Sequence, residues 1–95
     1  MDVDFSRAMY AEYFHATQGM LRKVKQYLPS QDIFGATVWL SMADHAFEKT
    51  AAWSVRLQPH RDAEEREMAK KDLEKLLGHL EGARAVIQDM LKNRK

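Results

Sequence analysis

Three long stretches of this chain carry apolar residues at steps of three and four, and two prolines separate them. That spacing is the period of one helix face, so each stretch predicts an amphipathic helix. The first helix is expected at about residues 4–28, the second from Ile33 to Leu57, and the third from a cap at Asp62. Pro29 and Pro59 disfavour helical geometry in the residue before them, which fixes both breaks.

The third stretch has the most regular pattern. Its apolar positions alternate steps of four and three, a seam typical of helical bundles and coiled coils. These positions are Ala69, Leu73, Leu76, Leu80, Ala83, Ile87 and Met90. We therefore predict an all-α fold in the single domain 1–95, a small antiparallel three-helix bundle with a long third helix.

Gly78 and Gly82 lie on the side of helix 3 opposite these apolar positions. A glycine inside a helix costs about 1 kcal/mol relative to alanine, and core packing requires neither of them. One interpretation is that helix 3 bends or breaks near Gly78, which would make four helices. The other is that the missing side chains let another helix approach closely, so both glycines are candidate interface residues.

Composition excludes several classes of function. The 95 residues include no cysteine, which rules out disulfides, a thiolate nucleophile and cysteine-based metal sites. Apolar residues make up 45% and charged residues 31%, as in ordinary globular domains. The sequence contains no run of about 18 apolar residues, the length needed to cross a membrane. The N-terminus lacks the pattern of a signal peptide. A cytoplasmic protein without membrane contact is expected.

Two groups of histidines and carboxylates have the composition of metal ligands. Glu12 and His15 have the Glu-x-x-His spacing of carboxylate-bridged di-iron bundles, and Asp44, His45 and Glu48 offer mixed nitrogen and oxygen ligands. On a helical wheel of about 100° per residue both groups lie on polar arcs. We expect solvated faces and no cofactor. No catalytic motif is present, so we expect no enzyme activity.

An exposed histidine can instead accept a phosphoryl group. The five residues His-Ala-Thr-Gln-Gly, from His15 to Gly19, resemble the motif of histidine phosphotransfer domains, with Gln18 where that motif carries a basic residue. The resemblance implies a helical bundle whose acceptor histidine lies on a solvent face. His15 is therefore a candidate phosphoacceptor.

The apolar face of helix 2 covers about 180° of the wheel, more than the roughly 100° that a surface helix needs. One interpretation makes it the central helix, in contact with both others. The second interpretation divides the face between the internal core and a second molecule, because tryptophan and methionine are enriched at interfaces. The core side is Ile33, Leu40, Phe47 and Ala51, and the partner side is Trp39, Met42, Ala46 and Trp53.

Basic residues cluster near the ends of helices 1 and 3, which share one pole of an up-down-up bundle. This basic pole consists of Arg22, Lys23, Lys25, Lys92, Arg94 and Lys95. Such a cluster could bind phosphates despite the formal net charge of +1. Bases in the last helical turns also complement the helix macrodipole, so both interpretations stay open.

These patterns favour a non-catalytic accessory or regulatory protein that acts through protein–protein contacts and forms a homo-oligomer. Nucleic-acid binding at the basic pole and phosphotransfer at His15 are the two alternatives.

Overall fold

The computed structural model describes residues 2–93, and three helices contain almost all of them. They are α1 (Val3–Tyr27), α2 (Ile33–Leu57) and α3 (Ala63–Lys92), with a 3-10 turn at Gln58–His60 before α3. The predicted all-α three-helix fold is confirmed. Helix α1 begins and ends one residue earlier than predicted, and α2 has the predicted bounds.

Helix α3 runs through Gly78 and Gly82 without interruption, so the four-helix alternative is wrong. Glycine keeps its backbone donor and acceptor, and its entropic cost of about 1 kcal/mol is small beside the burial of neighbouring side chains. Leu76 and Leu80, on either side of Gly78, are both buried in the core. Their packing holds this segment in the helix.

Each helix begins at an aspartate whose carboxylate accepts a hydrogen bond from a first-turn amide. Asp2 accepts from the Asp4 amide at 2.9 Å, and Asp32 accepts from Gly35 at 2.9 Å. Asp62 accepts from the Glu65 amide at 2.8 Å, while the Glu65 carboxylate accepts from the Asp62 amide at 3.1 Å. This reciprocal pair is a capping box at the predicted cap, Asp62. The caps satisfy amides that otherwise lack a partner.

Small and hydroxyl-bearing residues are most of the buried residues of α1 and α2. They are Ser6, Thr17, Ala36, Ala43, Ala46, Thr50 and Ser54. Thr17 donates to the Tyr13 carbonyl and Thr50 donates to the Ala46 carbonyl, each at 2.8 Å, and the two hydroxyl oxygens lie 3.5 Å apart. Short side chains and satisfied hydroxyls let these two helices form the most extensive contact of the fold.

The turn between α1 and α2 brings Gly35 against the Tyr27 ring. A Cβ at Gly35 would lie 2.8 Å from the nearest Tyr27 ring atom and from the Asp32 carboxylate. Gln31, in the turn itself, has a φ of 59°, in the left-handed region. The α1–α2 hairpin is therefore closed at this end by backbone geometry as well as by packing.

Helix α3 packs across one side of this hairpin. Among its 30 described residues, only Ala69, Leu76, Leu80, Ala83 and Ile87 are buried. The fold is elongated, with dimensions of 51 × 21 × 15 Å and a radius of gyration of 15.3 Å. A compact domain of this length would have a radius of gyration of about 12 Å. The core is therefore a narrow strip along the bundle.

Replacing Gly78 or Gly82 by alanine is expected to raise the free energy of unfolding by about 0.5–1 kcal/mol each. A Cβ at either position meets no atom within 4 Å, so only the helix propensity changes. Urea unfolding followed by circular dichroism measures the effect. Gly35→Ala is the contrasting variant and should destabilise the fold, because its Cβ collides with Tyr27. A destabilised Gly78→Ala variant would contradict the open environment of that position.

Candidate interaction surface

Three surface grooves lie between the helix pairs of residues 2–93. Phe14 faces Leu76 across the α1/α3 groove, and Phe47 faces Leu73 across the α2/α3 groove. The α1/α2 groove is lined by Tyr13, Ala16, Met20, Ser41, Met42, His45 and Ala46, with no α3 residue among them. Since α3 packs on the other side of the hairpin, the α1/α2 groove opens to solvent.

Ala16, Met20 and Met42 line this groove, and further apolar side chains continue their rows along both helices. We call them the α1/α2 face: Phe5, Met9, Ala16 and Met20 of α1, with Val38, Met42 and Trp53 of α2. Their steps of four, seven and eleven keep them on one side of each helix. Phe5 is 52% exposed, Val38 43% and Met42 42%, and the other four are partly buried. Phe34, which is 81% exposed, lies one turn before Val38 and extends this row.

Aromatic contacts order the end of the face where α1 begins. The Phe5 and Trp53 rings meet edge to face, with centroids 5.7 Å apart and an interplanar angle of 71°. The Arg56 guanidinium lies 4.4 Å from the Trp53 ring centroid. Edge-to-face rings and cation–π contacts are favourable arrangements for aromatic side chains. These rings are therefore positioned before any partner binds.

Both ends of the face carry charges of both signs. Asp2 and Arg56 lie at the end where α1 begins and α2 finishes. Lys23 and Asp32 lie at the turn end, where the Lys23 ammonium is 5.9 Å from the Trp39 ring centroid. Each end therefore includes at least one acidic and one basic residue.

The predicted partner side of helix 2 is partly wrong. Ala46 is only 4% exposed, because α1 packs against this side of α2 and covers it. Trp39 and Trp53 are partly buried within the chain, and Trp39 packs against the core, so Met42 is the most exposed of the four. The wide apolar arc is explained by α2 contacting both α1 and α3, as the first interpretation proposed.

Sequence reasoning missed the contribution of α1 to this surface. Phe5 is exposed and Met9 partly buried, while Met20 packs against the core and also lines the α1/α2 groove. The sequence signal for this surface was the apolar face of helix 1, which is wider than a single helix–helix contact needs. A helical wheel does not reveal on which side the neighbouring helix packs.

The glycines of α3 lie apart from the α1/α2 face. Gly78 and Gly82 are exposed, and the space beside each is open. Neither borders the α1/α2 groove. Their role as a place of close helix approach stays a prediction.

The basic pole is assembled in part. Arg22, Lys23 and Lys25 are exposed near the end of α1, and Lys92 is exposed in the last turn of α3. Gln31, Ile33, Met90 and Asn93 line one cavity, which places the end of α3 beside the α1–α2 turn. Arg94 and Lys95 lie outside the described residues. Lys25 and Lys92 occupy last helical turns, where the helix macrodipole alone favours a cation.

His15 is exposed on α1, with its ring at the edge of the Phe14 ring, 6.3 Å between centroids. It borders a shallow groove between α1 and α3 that Tyr10 and Asp72 also line. This placement leaves the ring accessible to a partner, and its role as a phosphoacceptor stays a prediction.

The two groups with the composition of metal ligands are Glu12 with His15, and Asp44 with His45 and Glu48. Within residues 2–93, no three histidine or carboxylate residues are grouped so that they could hold a metal ion. Asp44 is instead hydrogen-bonded to Arg84 of α3, an ion pair that fastens α3 to α2.

Arg61 links the start of α3 to both other helices. Its guanidinium donates to the Ser54 carbonyl at 3.2 Å and to the Ser54 hydroxyl at 2.8 Å, and lies 5.1 Å from the Tyr10 ring centroid. Burial raises the pKa of the Tyr10 phenol, although the Arg61 charge opposes this shift. The phenol therefore stays protonated at neutral pH and cannot serve there as a general base.

Comparisons of the chain with protein-family models, with curated proteins and with solved structures give no match. Among the described residues, no helix is long and apolar enough to cross a membrane.

Reversing the charges of Arg22, Lys23 and Lys25 to glutamate tests the basic pole. All three side chains are exposed, so the variant should keep the helical circular dichroism of the wild type. If the pole binds nucleic acid, wild-type affinity should fall steeply with salt, and losing three phosphate contacts should reduce that slope by about 3. Titration of labelled DNA and RNA at several salt concentrations measures both. No binding at low salt would remove this alternative.

His15→Gln tests the phosphotransfer alternative. The side chain is exposed, so the substitution should leave stability unchanged within about 0.5 kcal/mol. Wild type and variant are incubated with acetyl phosphate and compared by intact mass. A phosphoryl adduct that only the wild type forms would support His15 as acceptor, and an unmodified wild type would count against it.

Proposed function

We propose that this protein is a non-catalytic accessory or regulatory protein that acts by binding protein through the α1/α2 face. One observation carries the proposal: Phe5, Val38 and Met42, from two adjacent helices, are each more than 40% exposed, and Met42 lines the open α1/α2 groove. Single exposed apolar residues are normal, whereas contiguous apolar surface marks an interaction site.

The residue types of the face support protein binding. It combines two aromatic rings with three methionines, and both types are enriched at protein interfaces. Unbranched methionine side chains adapt to the shape of a partner. The Phe5–Trp53 contact is already formed in the free chain, so binding orders fewer side chains.

The buried polar groups are used in hydrogen bonds within the chain. Within residues 2–93, every buried side-chain nitrogen or oxygen has a hydrogen-bond partner. The Thr17 and Thr50 hydroxyls both donate to carbonyls of their own helices. These groups stabilise the hairpin, and the cysteine-free composition is compatible with the cytoplasmic location that we propose.

Nucleic-acid binding at the basic pole is the second candidate function. It is favoured by the exposure of Arg22, Lys23 and Lys25 within one helical turn near one end of the bundle. It ranks below protein binding because Lys23 already contacts the Trp39 ring and because the pole also contains Asp32.

Photo-crosslinking in living cells tests the α1/α2 face. A photoreactive amino acid replaces Val38 in one variant and Val86 of α3 in a matched control, since these valines are 43% and 46% exposed. Position 38 should form covalent adducts with one defined protein, which can be a second copy of this chain. Position 86 should form none. Equal adduct yields at both positions, or none at position 38, would reject the face as the binding surface.

A further inference from the structure

We infer that the occupant of the α1/α2 face is a second copy of this chain, related to the first by a two-fold axis. This inference rests on the proposed function and names its partner. The two hairpins would form a four-helix layer with α3 of each copy on the outside. Three properties of the chain favour a second copy: the helix arrangement, the exposed area and the placement of charges.

The helix arrangement leaves the hairpin half covered. Helix α3 fills the groove on one side, while the opposite groove, between Met20 and Met42, faces solvent. In a four-helix bundle each helix packs against neighbours on two sides around a shared apolar core. A second α1–α2 hairpin placed on the open groove supplies two helices of matching length with the same apolar residues.

The molecule exposes more surface than a compact monomer of its mass. The accessible surface is 6527 Å². A folded monomer of 11.1 kDa has about 5,700 Å², so the chain carries an excess of roughly 900 Å². The elongated shape spreads this excess over the whole molecule. A standard interface buries about 800 Å² on each partner, so a dimer would remove about as much surface as the excess.

The charges at the two ends of the face are self-complementary. If the two-fold axis lies in the interface perpendicular to the helices, α1 packs antiparallel on α1 of the other copy. Lys23 then approaches the partner's Asp2. If the axis is parallel to the helices, α1 packs on α2 of the other copy. Lys23 then approaches the partner's Asp32. Arg56 gains an opposite charge in the same way in each case. A net charge of only +1 adds little repulsion between copies.

The direct test compares Val38→Glu with Val86→Glu by sedimentation equilibrium. The wild type should form dimers at about 100 μM or below. A charge inside the interface should raise the dimer dissociation constant at least about tenfold, as expected for loss of a central contact. Val86 lies on α3, away from the α1/α2 face, and its variant should change the constant by less than about twofold. Circular dichroism confirms that both variants are folded.

Crosslinking gives a second measurement that does not depend on a disruptive variant. Because the chain has no cysteine, Met42→Cys and Met68→Cys each introduce a single thiol. Both methionines are exposed, at 42% and 59%, but Met68 lies on α3. A bis-maleimide should join two Met42→Cys chains into a covalent dimer at protein concentrations where Met68→Cys stays monomeric.

The outcomes separate this inference from the proposed function. A wild type that remains a folded monomer at about 100 μM overturns the second copy as partner. Adducts with other proteins at position 38 would then still support the proposed function. A dimer that persists in Val38→Glu and crosslinks equally at both cysteine positions overturns the inference and shows that another surface associates.

Discussion

The contact between α1 and α2 is the interaction on which the rest of the structure depends. Alanine, serine and threonine are most of the buried residues of these two helices, so close approach of two long helices contributes to the contact beside the bulkier side chains. The hydroxyls of Thr17 and Thr50 are satisfied by carbonyls of their own helices, which lets them be buried without an unpaired donor. The larger apolar side chains are thereby directed to the two sides of the hairpin.

One of these two sides is covered by α3 and the other is open to solvent. On one side, Leu21 and Val24 of α1 and Leu40 of α2 meet the leucines of α3 and form the core. On the other side, Met42 and Met20 border a groove that no part of residues 2–93 covers. A chain of 95 residues cannot cover both sides of a 25-residue helix pair with one further helix. The exposed face follows from this geometry.

Local features of the fold could be predicted from the sequence because each depends on neighbouring residues. The capping box at Asp62 and the ends of α2 depend on side chains within one turn and on two prolines. The continuity of α3 through Gly78 could not be predicted, since it is decided by burial of Leu76 and Leu80 against other helices. The position of Ala46 was wrong for the same reason: the wheel gives directions around α2 but not where α1 lies.

The sparse attachment of α3 has a consequence for how the molecule opens. Five buried residues, one ion pair to Asp44 and the Arg61 contacts hold a 30-residue helix in place. Helix α3 makes a smaller contact with the hairpin than α1 and α2 make with each other, so we expect the lowest-energy partial unfolding to release α3 as a unit. The hairpin left behind would expose apolar rows on both sides. Such an intermediate could exchange its third helix with another copy, through the short hinge that contains Pro59.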